Sequence, residues 1–324
     1  MLKGNNCRTY IFTRQGGTTI EEGIIMGIRT ELVKASDTNP WAKRIKLAYW
    51  RIKNLPDQWR VERGIRQRRQ GKKDIKYSRV RQFQGIHKGQ RCFIIATGPS
   101  LTIEDIELLK NEITFGMNSI TRIFDKTDWR PTYYGIQDRQ VYEKMEGSIL
   151  EYYRDADNVL VADQIGRYFN VPDNFIQFPY NGNYHIYAGR YEDYSARFSD
   201  NAYEVVYDGY SITYSLIEIA VYMGFKEIYL LGCDCNYPKG AKNHFVESGF
   251  VDKNAVSNPI RMRIGYKVAK EYADRNHIKI VNCTRGGMLE TYPRLELETV
   301  LSRRSGASNT KDEVDEHKKQ SQLD

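Results

Sequence analysis

Long apolar runs are missing from this 324-residue chain. No stretch of about 18 uninterrupted apolar residues occurs, so no membrane-spanning helix is expected. The N-terminus has no apolar core of the secretory type either, which points to the cytoplasm. Cysteine is sparse: Cys7, Cys92, Cys233, Cys235 and Cys283 make an odd count without a C-x-x-C pair. That pattern speaks against a disulfide framework and for scattered reduced thiols, two of which, Cys92 and Cys233, fall in or beside apolar segments as small hydrophobes. Histidine is scarce too, with five in all. What remains, 40% apolar and 28% charged residues, is the balance of a globular protein with one core and an appendage.

Charge is unevenly spread. Residues 1–90 hold 21 Lys/Arg against 7 Asp/Glu, a balance of +14, so the rest of the chain carries −6 of the total of +8. Residues 1–40 are poorly patterned and little order is expected there; Met26 is an alternative start. From Trp41 onward Trp41, Ile45, Ala48, Ile52 and Leu55 recur on one helical face, with Arg44, Lys46, Arg51 and Lys53 largely off it. Pro56 is expected to end or kink this helix. A basic segment with Trp41, Trp50 and Trp59 suits an anionic membrane surface through residues 41–70, or docking against the chain's own acidic domain or a second protomer. No nucleic-acid motif accompanies the charge, so nucleic acid is not the expected partner.

The segment Arg91–Leu101 joins an apolar run to a turn and a helix start. Phe93, Ile94 and Ile95 read as a strand buried on both faces, and Gly98-Pro99 stops it. Ser100 or Thr102 caps the following helix, whose first turn holds Glu104 and Asp105. Strand, Gly turn and helix N-terminus make a phosphate-binding corner. The turn has neither the G-x-G-x-x-G spacing of a dinucleotide site nor a P-loop lysine, so it reads either as the floor under a mononucleotide or as a plain strand-to-helix connection without a ligand. Further strands are expected over 113–117, 131–136 and 158–162, ending at Asn118-Ser119, Gln137-Asp138 and Asp163. Their polar ends share one rim, as in a parallel sheet. The Tyr-rich stretch from Phe169 to Tyr207 reads as a loop, lid or hairpin. Ser211 then leads a helix over 212–223 with Gly224 at its C-terminus, followed by a strand over 228–231 that ends at Gly232-Cys233-Asp234. A helix over 262–276 and a strand over 278–282 follow, with Thr284-Arg285-Gly286-Gly287 after it. Beyond Ser302 the chain reads as a disordered tail.

Four elements, Ala96-Thr97-Gly98-Pro99-Ser100-Leu101, Asn118, the segment Ser211–Leu230 with Gly224-Phe225-Lys226-Glu227-Ile228-Tyr229-Leu230, and Gly232-Cys233-Asp234, resemble the MptE-like family. That family includes motility accessory factors and archaeal 6-hydroxymethylpterin diphosphokinases, and the same elements are similar to the bacterial sialyltransferases of the Campylobacter type. The resemblance runs from about 90 to 301. It implies an α/β fold with a single Rossmann-like, mostly parallel sheet, a GT-A-like variant with a lid, preceded by the basic helical N-terminal segment. The resulting organisation is 1–40 poorly ordered, 41–85 basic and helical, 86–302 the nucleotide-binding domain, and 303–324 the tail.

By the same resemblance Thr97, Gly98, Pro99, Ser100, Asn118, Ser211 and Thr213 bind the nucleotide, with Asn236 and Tyr237 at the position of a phosphate-binding tyrosine and Asp234 the acid at the strand end. Asp138 binds ribose or, in a kinase-like chemistry, magnesium, or is a solvated surface carboxylate. Arg285 meets phosphate or merely forms a turn. Among the histidines only His185 and His244 fall in polar segments near the rim, and His244, close behind Asp234, is the candidate base. The expected activity is transfer of a sugar from a nucleotide-activated donor, a CMP-sugar, to a glycan or lipid-linked acceptor of the cell surface, with no metal, at the inner membrane face and as a possible homo-oligomer. The alternatives are a Mg/ATP-dependent 6-hydroxymethylpterin diphosphokinase and a non-enzymatic nucleotide-binding module.

Overall fold

A computed structural model describes residues 39–72, 74–185, 194–236 and 258–302. The expectations for residues 1–38 and 303–324, and those for Tyr237 and His244, lie outside these residues. The chain divides into two compact units, Met1–Pro56 and Asp57–Asp324.

Helix α1 (Pro40–Arg69) carries Pro56 in its interior and does not end there. The proline removes the N–H that would bond the Ile52 carbonyl. Ile52 is itself exposed, so water can satisfy that carbonyl. After a 3-10 turn at Ile75–Tyr77 and the short α2 (Ser78–Arg81), the chain enters its sheet. Seven strands lie side by side in the order β5-β4-β3-β2-β1-β8-β9. These are β1 (Arg91–Ile95), β2 (Thr114–Met117), β3 (Tyr133–Ile136), β4 (Val159–Ala162), β5 (Ile176–Phe178), β8 (Glu227–Leu231) and β9 (Lys279–Asn282). Every pairing is parallel.

The strand interiors are largely apolar because both faces are covered, and successive residues serve opposite layers. Cys92 and Ile94 of β1 and Ile228 and Leu230 of β8 face a core completed by α5 (Ile212–Tyr222) and α6 (Asn258–Arg275). Phe93 and Ile95, with Tyr229 and Leu231, face the other core, which α3 (Ile103–Glu107), α4 (Arg139–Tyr153) and α7 (Leu297–Ser302) close. Phe93, Ile94 and Ile95 are 0% exposed, and each such side chain contributes roughly 1.5–3 kcal/mol by leaving water. The architecture is therefore a Rossmann-like α/β sandwich. Three of its elements, α4, β5 and α7, have no counterpart among the sequence expectations. In the Tyr-rich stretch β6 (Tyr180–Asn181) and β7 (Val206–Tyr207) pair in parallel, so its described part is not a hairpin.

The C-terminal half of α1 and the turn after it are tied to the domain that follows. Arg68 donates to the Glu204 carbonyl at 2.8 and 3.0 Å and to Asp74 at 3.1 Å. Tyr77 donates its hydroxyl to Asp163 at 2.7 Å. One carboxylate is wholly interior: Glu218 of α5 is 0% exposed and accepts the backbone N–H groups of Ser199 (2.6 Å) and Tyr207 (2.7 Å). Burial pushes its carboxyl well above the usual glutamate range, against the pull of those two donors. Glu218→Ala leaves two buried N–H groups without acceptors. It should lower stability by roughly 2–4 kcal/mol in denaturant titration, while Leu108→Ala, at a half-exposed position, should change little.

Candidate functional site

The order of strands reverses between β1 and β8: from β1 the chain steps outward through β2, β3, β4 and β5, and β8 and β9 fill the opposite side. In a parallel sheet the connecting segments diverge at such a point and leave a crevice above the strand ends. Here two turns line it. The Gly98 N–H donates to the Gly232 carbonyl at 2.9 Å, and the Ser100 hydroxyl donates to Asp234 Oδ2 at 2.8 Å. A Cβ on Gly98 would overlap both Asp234 Oδ2 and the Gly232 carbonyl, so only glycine lets the turns come this close. Gly232 has φ +64° and its missing Cβ would press on the Ala96 carbonyl at 2.6 Å. Cys233 N–H donates to Thr284 Oγ1 at 3.0 Å, which anchors the second turn to the end of β9.

Asp234 is 9% exposed. Burial raises its carboxyl above the ordinary aspartate value, offset in part by the Ser100 hydroxyl and backbone donors. Thr97 is buried under the turn, Pro99 is exposed, and Asn236 is exposed two residues beyond Asp234.

Asn118 continues the rim on the β2 side, since the β1–β2 register pairs Ile95 with Gly116 two residues before Thr97 and Asn118. Its backbone is left-handed at φ +50°, a conformation asparagine tolerates better than most residues. Its Oδ1 is buried and has no hydrogen-bond partner among the described residues. Beside it, Thr213 Oγ1 donates to Met117 Sδ at 3.4 Å, so the Thr213 side chain serves the core. Ser211 caps α5, its Oγ accepting the Thr213 N–H at 3.2 Å and the Tyr266 hydroxyl at 3.4 Å.

The remaining sites of expected ligand contact have internal roles. Asp138 caps α4 by accepting from Gln140 N (2.7 Å) and Val141 N (3.0 Å). Arg285 is ion-paired with the buried Asp105, one contact being 2.7 Å. Asp105 also completes the capping box with Thr102 at the start of α3. Among the described residues no group of three His, Cys, Asp or Glu gathers as metal ligands would. Cys92, Cys233, Cys235 and Cys283 are buried and unpaired in disulfides, and burial raises each thiol above its ordinary value.

A second constellation, centred on Asp208, extends the rim. Asp208 Oδ1 accepts from Gln137 Nε2 (3.2 Å) and Tyr210 N (2.9 Å), while Oδ2 lies 2.7 Å from His185 Nε2. Gln137, at the end of β3, also accepts the Ser215 hydroxyl of α5 at 2.7 Å. His185 stacks near Tyr210 (ring centroids 4.3 Å) and meets Tyr194 edge-on. Because a carboxylate only accepts, Nε2 carries the proton and Nδ1 is left bare. Nδ1 is buried and without a partner. The His185–Asp208 pairing spans 23 residues. In the sequence its only traces are a histidine inside the Tyr-rich stretch and an acid three residues before the helix cap.

A family model described as 6-hydroxymethylpterin diphosphokinase MptE-like matches residues 69–240, just over half of the chain. Among solved structures, the MAf glycosyltransferase from Magnetospirillum magneticum AMB-1 is similar at 17% identity and a TM-score of 0.44. The match covers 69% of this chain and 38% of that one, so this chain spans well under half of that protein's length. The sialyltransferase CstII from Campylobacter jejuni, solved with cytidine-5'-monophosphate, is similar at 13% identity and a TM-score of 0.32, covering 64% of this chain and 85% of the other. No curated protein matches.

The buried acid at the crevice has a measurable signature. The folded state holds the Asp234 proton more tightly than the unfolded chain does. Stability is therefore unaffected below the unfolded value and is lost as pH rises from there through the raised folded value. Asp234→Asn keeps an oxygen for Ser100 and abolishes that loss. Its Tm should exceed that of the native protein at pH 7 and converge with it near pH 3, a pattern followed by thermal melts across pH.

Proposed function

This chain belongs to the MptE-like family, and from that premise we propose that it is a transferase acting on a nucleotide-activated sugar, with the donor's nucleoside phosphate in the crevice between β1 and β8. The observation that carries this reading is the pair of buried polar atoms left without partners along one rim, Asn118 Oδ1 and His185 Nδ1. Such atoms are costly in a folded protein unless a ligand meets them. Asn118 Oδ1 accepts only, which suits a base amine or a ribose hydroxyl. The N-terminus of α5, capped by Ser211, suits phosphate. Asp234 contacts ribose or the acceptor.

In the transfer step an acceptor hydroxyl oxygen bonds to the anomeric carbon as the sugar–phosphate bond breaks, and the nucleoside phosphate leaves. The hydroxyl proton goes to a histidine. His185 Nδ1 is preset for this by the Asp208 bond to Nε2, which fixes the tautomer and stabilises the imidazolium that forms. His244 is the other candidate base. The aromatic side chains around His185 exclude water from the reacting centre.

The family's own description supports a second reading, transfer of diphosphate from Mg-ATP to a hydroxymethylpterin-like alcohol. Magnesium in phosphoryl transfer is held by substrate phosphates with one or two carboxylates, and Asp234 is the rim carboxylate for that role. A panel of CMP, UDP, GDP and ATP, each with and without magnesium, separates the readings by thermal shift. CMP or another free nucleotide should raise Tm without magnesium, and stabilisation by Mg-ATP alone would replace the sugar transferase with the diphosphokinase. Under the leading reading His185→Ala should keep nucleotide affinity and lower turnover about 10²–10⁴-fold; full turnover there with loss in His244→Ala would move the base to His244.

For the basic N-terminal segment we propose contact with an anionic membrane surface at the inner face of the cell membrane, where lipid-linked acceptors sit. Trp41, Ile45, Ile52 and Leu55 are exposed along α1 among basic residues, a composition that favours anionic lipid headgroups. Co-sedimentation should be strong with anionic vesicles and weak with neutral ones; equal pelleting in both, or in neither, removes this reading.

A further inference from the structure

A cavity of about 410 Å³ opens where the C-terminal half of α1 crosses the ends of β4 and β5. Five segments of the Asp57–Asp324 unit meet there. Helix α1 brings Arg60, Arg63 and Arg68; the 3-10 turn brings Lys76 and Tyr77; the segment after β4 brings Asp163 and Arg167; and Tyr180 and Val205 close the apolar side. Five cations thus line one concavity together with a single acid.

The cations are not equally occupied. Arg68 is spent on the Glu204 carbonyl and Asp74, and Arg60 bonds Asp57 at 2.8 Å in a solvent-exposed pair. Asp163 accepts from the Tyr77 hydroxyl at 2.7 Å and from Tyr180 N at 3.2 Å, with Lys76 Nζ 4.0 Å away. Arg63 and Arg167 are exposed, and neither side chain has a carboxylate or carbonyl partner among the described residues. Like charges held around one cavity repel each other unless an anion joins them. The guanidinium fork fits the paired oxygens of a phosphate.

We propose that this cavity is a binding site for a phosphate-bearing small molecule, its phosphate or diphosphate held by Arg63 and Arg167 with Arg60 and Lys76 beside them, and the group it carries set against Tyr77, Tyr180 and Val205. The concavity favours a compact ligand over an extended polyanion. The site lies on the same rim as the β1–β8 crevice but several strands away, and it does not depend on the nucleotide reading. If that reading holds, a phosphorylated acceptor reaches the rim from this side.

The test titrates inorganic pyrophosphate into the full chain by calorimetry at low salt, with the native protein and with Arg63→Gln, Arg167→Gln and the double variant. The exposure of both side chains means that Tm should not move. Binding should weaken about tenfold for each arginine removed, and the native affinity should fall as salt rises. Asn118→Ala, which alters the crevice, should bind pyrophosphate as the native protein does while losing its nucleotide shift. The proposal is overturned if pyrophosphate does not bind, or if the double variant binds it unchanged. It is equally overturned if only anionic vesicles bind and Arg167→Gln leaves that binding intact, which would assign the charge to a flat lipid contact of α1.

Discussion

A parallel sheet covered on both faces leaves only the ends of its strands open to water and ligand, and that constraint organises this molecule. With seven strands all running one way, every connecting turn that follows a strand emerges on the same side. The polar residues that stop the apolar runs, Thr97, Asn118, Gln137, Asp163, Asp234 and Thr284, are consequently gathered on one rim whatever their separation in sequence. Their hydrogen bonds then fix the local shape. Asp234 joins the turn after β1 to the turn after β8, Gln137 joins β3 to α5 through Ser215, and Asp163 joins β4 to the turn after α1 through Tyr77. Each of these bonds links segments that are remote in the chain, and the last lies beside a cavity.

Much of the sheet was legible because its signals are local. An apolar run of four or five residues closed by Gly, Asn or Asp identifies a buried strand wherever it falls, and β1, β2, β3, β4, β8 and β9 all have that form. Strand β5 does not: Ile176, Gln177 and Phe178 make a short edge strand whose middle residue is polar and only partly buried. Helix α4 mixes buried Val141, Tyr142, Met145 and Ile149 with many charged positions and hides behind the strand endings on either side of it. At Pro56 the helix continues, so of the two expected outcomes, an end or a kink, the end does not occur. A strong local rule against a helix interior gives way where the carbonyl that loses its partner faces water.

The site was legible in its turns and illegible in its pairs. Gly98, Asn118, Ser211 and Asp234 announce themselves as residues that end strands or begin helices. The His185–Asp208 pair and the cluster around Arg63 and Arg167 arise only when distant segments are folded together, and no spacing in the sequence encodes them. Asp138 and Arg285 illustrate the converse. Each sits at a strand end, where a ligand contact was a fair expectation. Each also serves the fold, Asp138 as the cap of α4 and Arg285 as the counter-ion of Asp105.

Two ways of managing charge coexist on this rim, and they are complementary. In the crevice the acid is desolvated, so its charged form is disfavoured. An ionised carboxylate about 4 Å from an anion repels it by roughly 4 kcal/mol at an effective dielectric of 20, and burial works against that charge. At the β4–β5 end Arg63 and Arg167 stay exposed and set up a field that reaches past the cavity mouth. Burial of the acid and exposure of these two arginines act in the same sense, the first weakening a negative charge on the rim and the second leaving positive charge open to an approaching anion.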